Sequence, residues 1–153
     1  MKLWSIFLLS ILASSCQRRP TPLPINLAAE QESLMDADRS FSDLSVKKGM
    51  KNAFIEYIDS NGVLLRPKKM PIVGANAIDY LIQLNDTSYK LNWEPQHAFV
   101  AESGDLGYTY GLYAVHPNAR DTVIYGTYVS IWKKQKDGSW KFVLDTGNEG
   151  AEE

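Results

Sequence analysis

Proton transfer is the chemistry that the side chains of this 153-residue chain could support. His97 lies where apolar residues alternate, so we expect it on the core face of a strand, where a neutral imidazole could act as general base or hydrogen-bond a ligand. Asp38, Asp59 and Asp145 are the available carboxylates, and none has an identifiable acid–base partner. Alternatively, His97 is a core or rim histidine whose hydrogen bonds are made within the protein, and Asp38 forms a local ion pair with Arg39. His97, Asp38 and Asp145 are therefore candidate catalytic residues without a recognisable pair.

Aromatic side chains form the second candidate set. Alternation places three groups on common strand faces: Tyr89, Leu91, Trp93, His97, Phe99 and Ala101; Tyr108, Tyr110, Leu112 and Ala114; and Gly126, Tyr128, Ser130 and Trp132. Facing one cavity, they would form an aromatic wall with inward hydroxyls, which suits a flat or apolar ligand. The candidate ligand-binding residues are Tyr57, Trp93, His97, Tyr108, Tyr110, Tyr128 and Trp132. The alternative is that these side chains only pack the core.

The positions of two polar residues, Asp145 and Arg66, depend on details of the sheet. Asp145 alternates with Trp140, Phe142 and Leu144 onto the other face of its strand, so it reaches a pocket only through a bulge or twist. Arg66 follows a short strand and either guards a pocket mouth or is a surface charge, the second being favoured.

These residues are positioned by helices first and strands afterwards, which is typical of an α+β domain. Helical spacing covers residues 30–46, a second helix starts at Met50 and closes at 60–62, and a third starts at Gly74. The predicted strands are 63–66, 72–73, 89–102, 106–116, 122–134 and 139–146. The sheet should be strongly curved, with bends at Pro95, Gly107, Gly111 and Gly126.

Composition excludes several classes of function. A formal charge of −2 with mixed signs offers no basic stripe, so we expect no nucleic-acid partner. Two distant histidines and one cysteine are a poor ligand supply, so no metal site is expected. The sequence has neither a glycine-rich phosphate loop nor a nucleophile elbow, and we expect no cofactor.

The amino terminus reads as a signal peptide over residues 1–15. Lys2 precedes an apolar run over 3–12, and the small residues Ala13 and Ser15 lie before Cys16. This resembles the lipobox of bacterial lipoproteins, although Leu12 stands one place early. Cleavage before Cys16 and lipidation of that cysteine would explain an exported protein with a single thiol. The alternatives are ordinary secretion with Cys16 unlipidated and, less favoured because the run is short, a transmembrane helix.

The remaining boundaries follow from composition. Residues 16–27 form a tether in which Pro20, Pro22 and Pro24 favour an extended backbone. The globular domain is predicted over 28–148, followed by an acidic tail at 149–153. Residues 17–19 carry no aspartate or acidic cluster, so we expect a lipid-anchored protein of the outer membrane that faces the periplasm.

Several local strings, in order, resemble the nuclear-transport-factor-2-like, or SnoaL-like, superfamily and its ketosteroid-isomerase-homologue family. They are Ala37-Asp38-Arg39-Ser40-Phe41, Ala53-Phe54, Gly74, Trp93-Glu94-Pro95, and residues 103–111, 126–133 and 137–141. The resemblance implies a cone in which three N-terminal helices pack in a curved antiparallel sheet, leaving a pocket at the wide end. Members include isomerases, dehydratases, polyketide cyclases and binding modules, so the fold does not choose a function.

The resemblance also bears on partners and mechanism. Steroid isomerases of this superfamily use an aspartate base and an oxyanion hole of tyrosine and protonated carboxylic acid, a set that cannot be placed here. The faces carrying Tyr113, Val115, Val123, Tyr125, Val129 and Ile131 are also apolar, and sheet-to-sheet homodimerisation would bury them.

Three functions stay open. The first is a non-catalytic or weakly catalytic domain that binds a small apolar or aromatic molecule. The second is an isomerase, dehydratase or cyclase-type enzyme that performs proton transfer, and the third is a dimeric interaction module. The missing acid–base pair favours the first.

Overall fold

A computed structural model describes residues 24–151. The elements are α1 (Leu27–Lys48), α2 (Met50–Tyr57), β1 (Ile58–Leu64), β2 (Ile72–Val73), α3 (Ala75–Gln83), β3 (Tyr89–Val100), β4 (Leu106–Pro117), β5 (Ile124–Lys134) and β6 (Trp140–Glu149). All six strands belong to one sheet in the order β2-β1-β6-β5-β4-β3. The predicted α+β class is confirmed. Cys16 and the signal peptide lie outside the described residues.

Helix α1 begins and ends at residues suited to those positions. The Asn26 side chain accepts a hydrogen bond from the Ala29 backbone N–H (3.3 Å), and Gly49 ends the helix with φ 88°, a left-handed value that favours glycine. Ile25 lies against Gly104 in the turn between β3 and β4. The helix therefore runs from that turn to the opposite end of the sheet, where Met50 begins α2.

Two serines attach α1 to the edge strand β3. Ser42 Oγ donates to the Trp93 carbonyl (2.7 Å) and accepts from the Trp93 N–H (2.8 Å), and Ser45 Oγ donates to the Leu91 carbonyl (2.8 Å). Both serines are buried, and the bonds satisfy polar groups that would otherwise lack partners.

The predicted antiparallel sheet is wrong for one strand pair. β1 starts at Ile58, directly after α2, and runs parallel to β6, with Ile58 opposite Phe142 and Leu64 opposite Asp145. Residues 60–62, predicted to close a helix, lie within β1 beside a register shift. The partner of β1 is the last strand of the chain, so no hairpin signal in the sequence indicates its direction.

Irregularities in two strands decide which side chains face the helices. The β3–β4 ladder shifts between Pro95 and His97, so Gln96 is extra and the inward positions move to Ala98 and Val100. His97 and Phe99 consequently face outward, and the prediction that they face the core is wrong.

The second shift places Asp145 inside. On β6, Phe142 lies opposite Trp132 and Leu144 opposite Ile131, which leaves Val143 without a partner. Beyond this bulge the inner face passes to Asp145, which is buried. The bulge that this carboxylate requires is therefore present.

Phe41 of α1 lies at the centre of an aromatic core. Its ring centroid is within 5.9 Å of five others, belonging to Phe54, Tyr57, Trp93, Trp132 and Phe142. Such contacts add to burial. Over residues 24–151, no helix is long and apolar enough to cross a membrane.

Candidate functional site

A cavity of ≈ 350 Å³ opens at the end of the sheet where α1 meets α2. It is bounded by α2, the loop after β1 and the inner face of β3 to β6. Its lining is mainly apolar and aromatic, with tyrosine hydroxyls and one ion pair: Phe41, Met50, Phe54, Arg66, Pro67, Tyr89, Leu91, Trp93, Tyr113, Val115, Tyr128, Ser130, Asp145, Thr146, Gly147 and Glu149. Apolar walls with a few placed polar groups are typical of small-molecule sites.

Glycines make room for Tyr113 in this wall. A Cβ atom on Gly126, the residue opposite it on β5, would lie 2.3 Å from Tyr113 Cζ. Any larger residue at position 126 would therefore displace the ring. Burial raises the pKa of Tyr113 and of Tyr89, which keeps both phenols protonated at neutral pH.

Asp38 lies behind the cavity wall and is wholly buried. Trp93 Nε1 donates to its Oδ1 (2.7 Å) and the Tyr128 hydroxyl to its Oδ2 (2.8 Å), and the Thr109 hydroxyl lies beside the carboxylate. Burial raises the pKa of Asp38 to about 6, although these hydrogen bonds act in the opposite direction. Asp38 thus joins α1 to β3 and β5, and both of its donors, Trp93 and Tyr128, line the cavity.

The predicted alternative of an Asp38–Arg39 pair is wrong. Arg39 turns to the surface, where its guanidinium lies 3.1 Å from Asp36, 3.5 Å from Glu32 and 3.6 Å from Glu94.

Asp145 and Arg66 form an ion pair in the cavity wall. Arg66 Nη2 donates to Asp145 Oδ1 (2.7 Å), Nη1 donates to the Asp145 carbonyl (3.1 Å), and Ser130 Oγ donates to Oδ2 (2.8 Å). The two charged side chains are 17% and 9% exposed. Arg66 also lies over the Phe54 ring at 5.5 Å, so the surface-charge interpretation of this arginine is wrong.

The structure separates the candidate ligand-binding residues. Trp93 and Tyr128 line the cavity, as does the candidate acid Asp145. Trp132 is wholly buried and donates to Thr109 Oγ1 (2.8 Å), and Tyr57 stacks on Phe41 at the side of the core away from this lining.

The other three candidates lie on the outer face of the sheet. Tyr108 stacks on Phe99 at 5.5 Å, and His97 is exposed beside Tyr110, with 6.0 Å between the ring centroids. The proposed wall of Tyr108, Tyr110, Leu112 and Ala114 is therefore wrong, because the odd-numbered residues of β4 face the helices instead. Asp59 binds Asn61 and Gln135 and is not part of the cavity lining.

Sequence reasoning missed Met50 as a lining residue, and its assignment of Tyr113 and Val115 to the dimerisation face is wrong, because both line the cavity. Gly126 was a usable signal, because a glycine within a strand often marks close approach by another group. Across the described part of the chain, no cluster of three or more His, Cys, Asp or Glu side chains is placed to hold a metal ion.

Solved structures with the same architecture are known. One is a ketosteroid isomerase-like protein from Erwinia carotovora atroseptica, with a TM-score of 0.62 and 15% identity over 80% of this chain and 98% of the other. A protein proposed to be a scytalone dehydratase from Novosphingobium aromaticivorans has a TM-score of 0.63 and 13% identity, over 81% and 86%. A nuclear-transport-factor-2-like protein with a cystatin-like fold from that organism has a TM-score of 0.59 and 16% identity, over 79% and 82%.

No protein-family model and no curated protein matches the sequence. At these identities the neighbours show the fold alone. The chain has the α+β fold of nuclear-transport-factor-2-like and ketosteroid isomerase-like structures, which confirms the fold that the local strings imply.

Proposed function

We propose that this domain binds a small, flat, largely apolar molecule in its cavity and does not catalyse a reaction. The observation that carries the proposal is that protein donors already bind both inner carboxylates, Asp38 and Asp145. Asp38 accepts hydrogen bonds from Trp93 and Tyr128, one on each oxygen, and Asp145 also has a bond to each carboxylate oxygen. A general base needs a lone pair directed at the substrate proton, and here every carboxylate oxygen already accepts a bond from the protein.

The alternative is an isomerase, dehydratase or cyclase-type enzyme that performs proton transfer. One observation favours this alternative: Asp145 lies in the cavity lining. As a base, Asp145 would have to accept the substrate proton on an oxygen that already accepts from Arg66 or Ser130.

Filling the cavity is expected to abolish ligand binding. Val115 lies in the lining, and Val115→Trp would place an indole there, whereas Tyr108→Trp adds an indole on the other face of the same strand. A thermal-shift screen with steroid-like, phenolic and polyketide-like compounds should raise the Tm of the wild type and of Tyr108→Trp, but not of Val115→Trp. A panel that stabilises none of the three, or all three equally, would contradict the proposal.

We further propose that the domain forms a homodimer through its outer sheet patch, defined as Phe99, Tyr108, Tyr110, Leu112 and Tyr125. These side chains are 39–53% exposed and carry no formal charge, and the charged residues Glu94 and Lys133 lie beside them on the sheet. An apolar centre with a polar rim is typical of protein interfaces, and sheets commonly pack face to face. A dimer made this way could also serve as an interaction module.

A charge at the centre of the patch should prevent association. Tyr110→Glu is expected to be monomeric at micromolar concentrations, whereas Val46→Glu, an apolar-to-acid change at an exposed site on α1, should leave the dimer intact. Sedimentation equilibrium distinguishes the two. A wild type that is monomeric throughout the micromolar range would overturn the proposal.

We propose finally that the domain is carried by a lipoprotein of the cell envelope, attached by lipid on Cys16 to the outer membrane and facing the periplasm. Support comes from the sequence of residues 1–16. Labelling with a radioactive fatty acid in bacteria that produce the chain should mark the wild type and not Cys16→Ser. Equal label in both would exclude lipidation at this residue.

A further inference from the structure

The hydrogen bonds around Tyr128 restrict what its hydroxyl can offer to the cavity. When Asp38 is ionised it can only accept, and the Tyr128 proton is directed to Asp38 Oδ2 at 2.8 Å. The phenol oxygen then presents only lone pairs to a ligand. Tyr128 lines the cavity, so in this state the polar point beside Asp38 is an acceptor.

Protonation of Asp38 reverses this arrangement. Trp93 Nε1 can only donate, so the carboxylic O–H of protonated Asp38 must donate its hydrogen bond to the oxygen of Tyr128 or of Thr109. Thr109 is wholly buried and already accepts from Trp132, and turning its own proton away from Asp38 would leave that proton unpaired. Tyr128 is the better acceptor, because its displaced proton can point into the cavity.

We propose, resting on the ligand-binding function above, that Tyr128 selects the ligand by its polar group. With Asp38 ionised, the cavity takes a flat apolar molecule bearing a hydroxyl, such as a phenol or alcohol. With Asp38 protonated, it takes the corresponding carbonyl compound. Asp38 is a positioning residue in this scheme, since it touches the ligand only through Tyr128.

The groups around Asp38 allow its carboxyl group to gain a proton within an accessible pH range. Tyr57 faces it from α2, Tyr128 from β5, and Asp145, paired with Arg66, from β6. β3 and β4 contribute the non-titrating donors Trp93 and Thr109, while Glu94 acts on Tyr128. Burial raises the pKa of Asp38 to about 6, with the charge of Asp145 a lesser cause in the same direction. Burial and Asp38 raise the pKa of Tyr128, which therefore stays protonated throughout.

Three probes of nearly equal shape test the proposal: naphthol, methyl naphthyl ketone and naphthalene, all neutral at pH 5 and pH 8. Binding to the full chain is measured by calorimetry at both pH values. For the wild type, we expect naphthol to bind more tightly than the ketone at pH 8. The order should reverse at pH 5, each preference being about tenfold, the equivalent of one hydrogen bond.

Two variants separate the causes. Asp38→Asn keeps an acceptor for Trp93 and gives Tyr128 a permanent N–H donor, so it should prefer the ketone at both pH values. Tyr128→Phe should bind all three probes with affinities within about threefold of one another. A wild-type preference that does not change with pH, or one that persists in Tyr128→Phe, overturns the proposal that Tyr128 selects the ligand. In either case, binding of naphthalene still supports the proposed ligand-binding function. Failure of all three probes to bind overturns both.

Discussion

Asp38→Ala is expected to lower the free energy of unfolding by about 3 kcal/mol or more. The substitution leaves Trp93 Nε1 and the Tyr128 hydroxyl without their common acceptor. Each unpaired buried donor costs about 1–3 kcal/mol, partly recovered at Tyr128 by access to the cavity. Urea unfolding at pH 8 measures the loss.

Asp38→Asn is the matched control, and it isolates the charge. Its amide oxygen still accepts from Trp93, so we expect its stability at pH 8 to lie within about 1 kcal/mol of the wild type. Loss of as much stability in Asp38→Asn as in Asp38→Ala would show that a side chain of the same shape with one acceptor oxygen is not enough, and that the fold requires the charge or both carboxylate oxygens.

The same pair of proteins reports the pKa of Asp38. The folded value of about 6 lies above the ordinary value of 3.8, so between these pH values the folded state holds a proton that the unfolded chain has released. The resulting stability is fully present below 3.8 and is lost as the pH rises through 6. From pH 7 to pH 4 the wild type should therefore gain about 2.5 kcal/mol relative to Asp38→Asn, with a slope of about 1.4 kcal/mol per pH unit between the two pKa values. Parallel pH profiles for the two proteins would exclude a raised pKa.

Arg66→Met is expected to cost about 3 kcal/mol. It leaves Asp145 buried without its cation, and breaking such a pair from one side usually costs about 3–5 kcal/mol. We place the effect at the lower end because Ser130 still donates to the other carboxylate oxygen. Removing both charges in Arg66→Met/Asp145→Asn should recover much of the loss, since no unpaired ion is left.

Arg39→Met is the control for this experiment, because it makes the same change at a surface arginine that contacts three acidic residues. Its side chain is 42% exposed, so the expected cost is below about 1 kcal/mol. Urea unfolding of the wild type, Arg66→Met, Asp145→Asn and the double variant gives the double-mutant coupling. Equal midpoints for Arg66→Met and Arg39→Met would show that the buried pair does not stabilise the fold.

Local patterns were enough to predict the element order and the inner face of β5, because both follow from the periodicity of apolar residues. They failed on β4, where apolar residues occupy both faces, and where one extra residue changes the phase of a strand. At Gln96 the shift turns His97 outward, and at Val143 it turns Asp145 inward. A shift in strand register depends on the partner strand, which the local sequence does not identify. From the sequence, Pro95 therefore indicated only a bend in the strand.

The roles of Asp38 and Arg66 were also beyond sequence reasoning. Their partners lie far along the chain: Tyr128 for Asp38 and Asp145 for Arg66. An aspartate on an apolar helix face gives no indication of which donors surround it. The parallel pairing of β1 with β6 is the same kind of long-range contact, and it brings Arg66 next to Asp145.

The direction of α1 has a practical consequence. The helix has 22 residues and so is about 33 Å long, with Ile25 beside the β3–β4 turn at one end and the cavity at the other. A biotin tag, a fusion partner or a sensor surface joined ahead of Leu27 is thus connected at the end remote from the cavity mouth. Immobilisation through the amino terminus should leave the cavity open to compounds flowed across a chip, which suits this domain to surface-based screening.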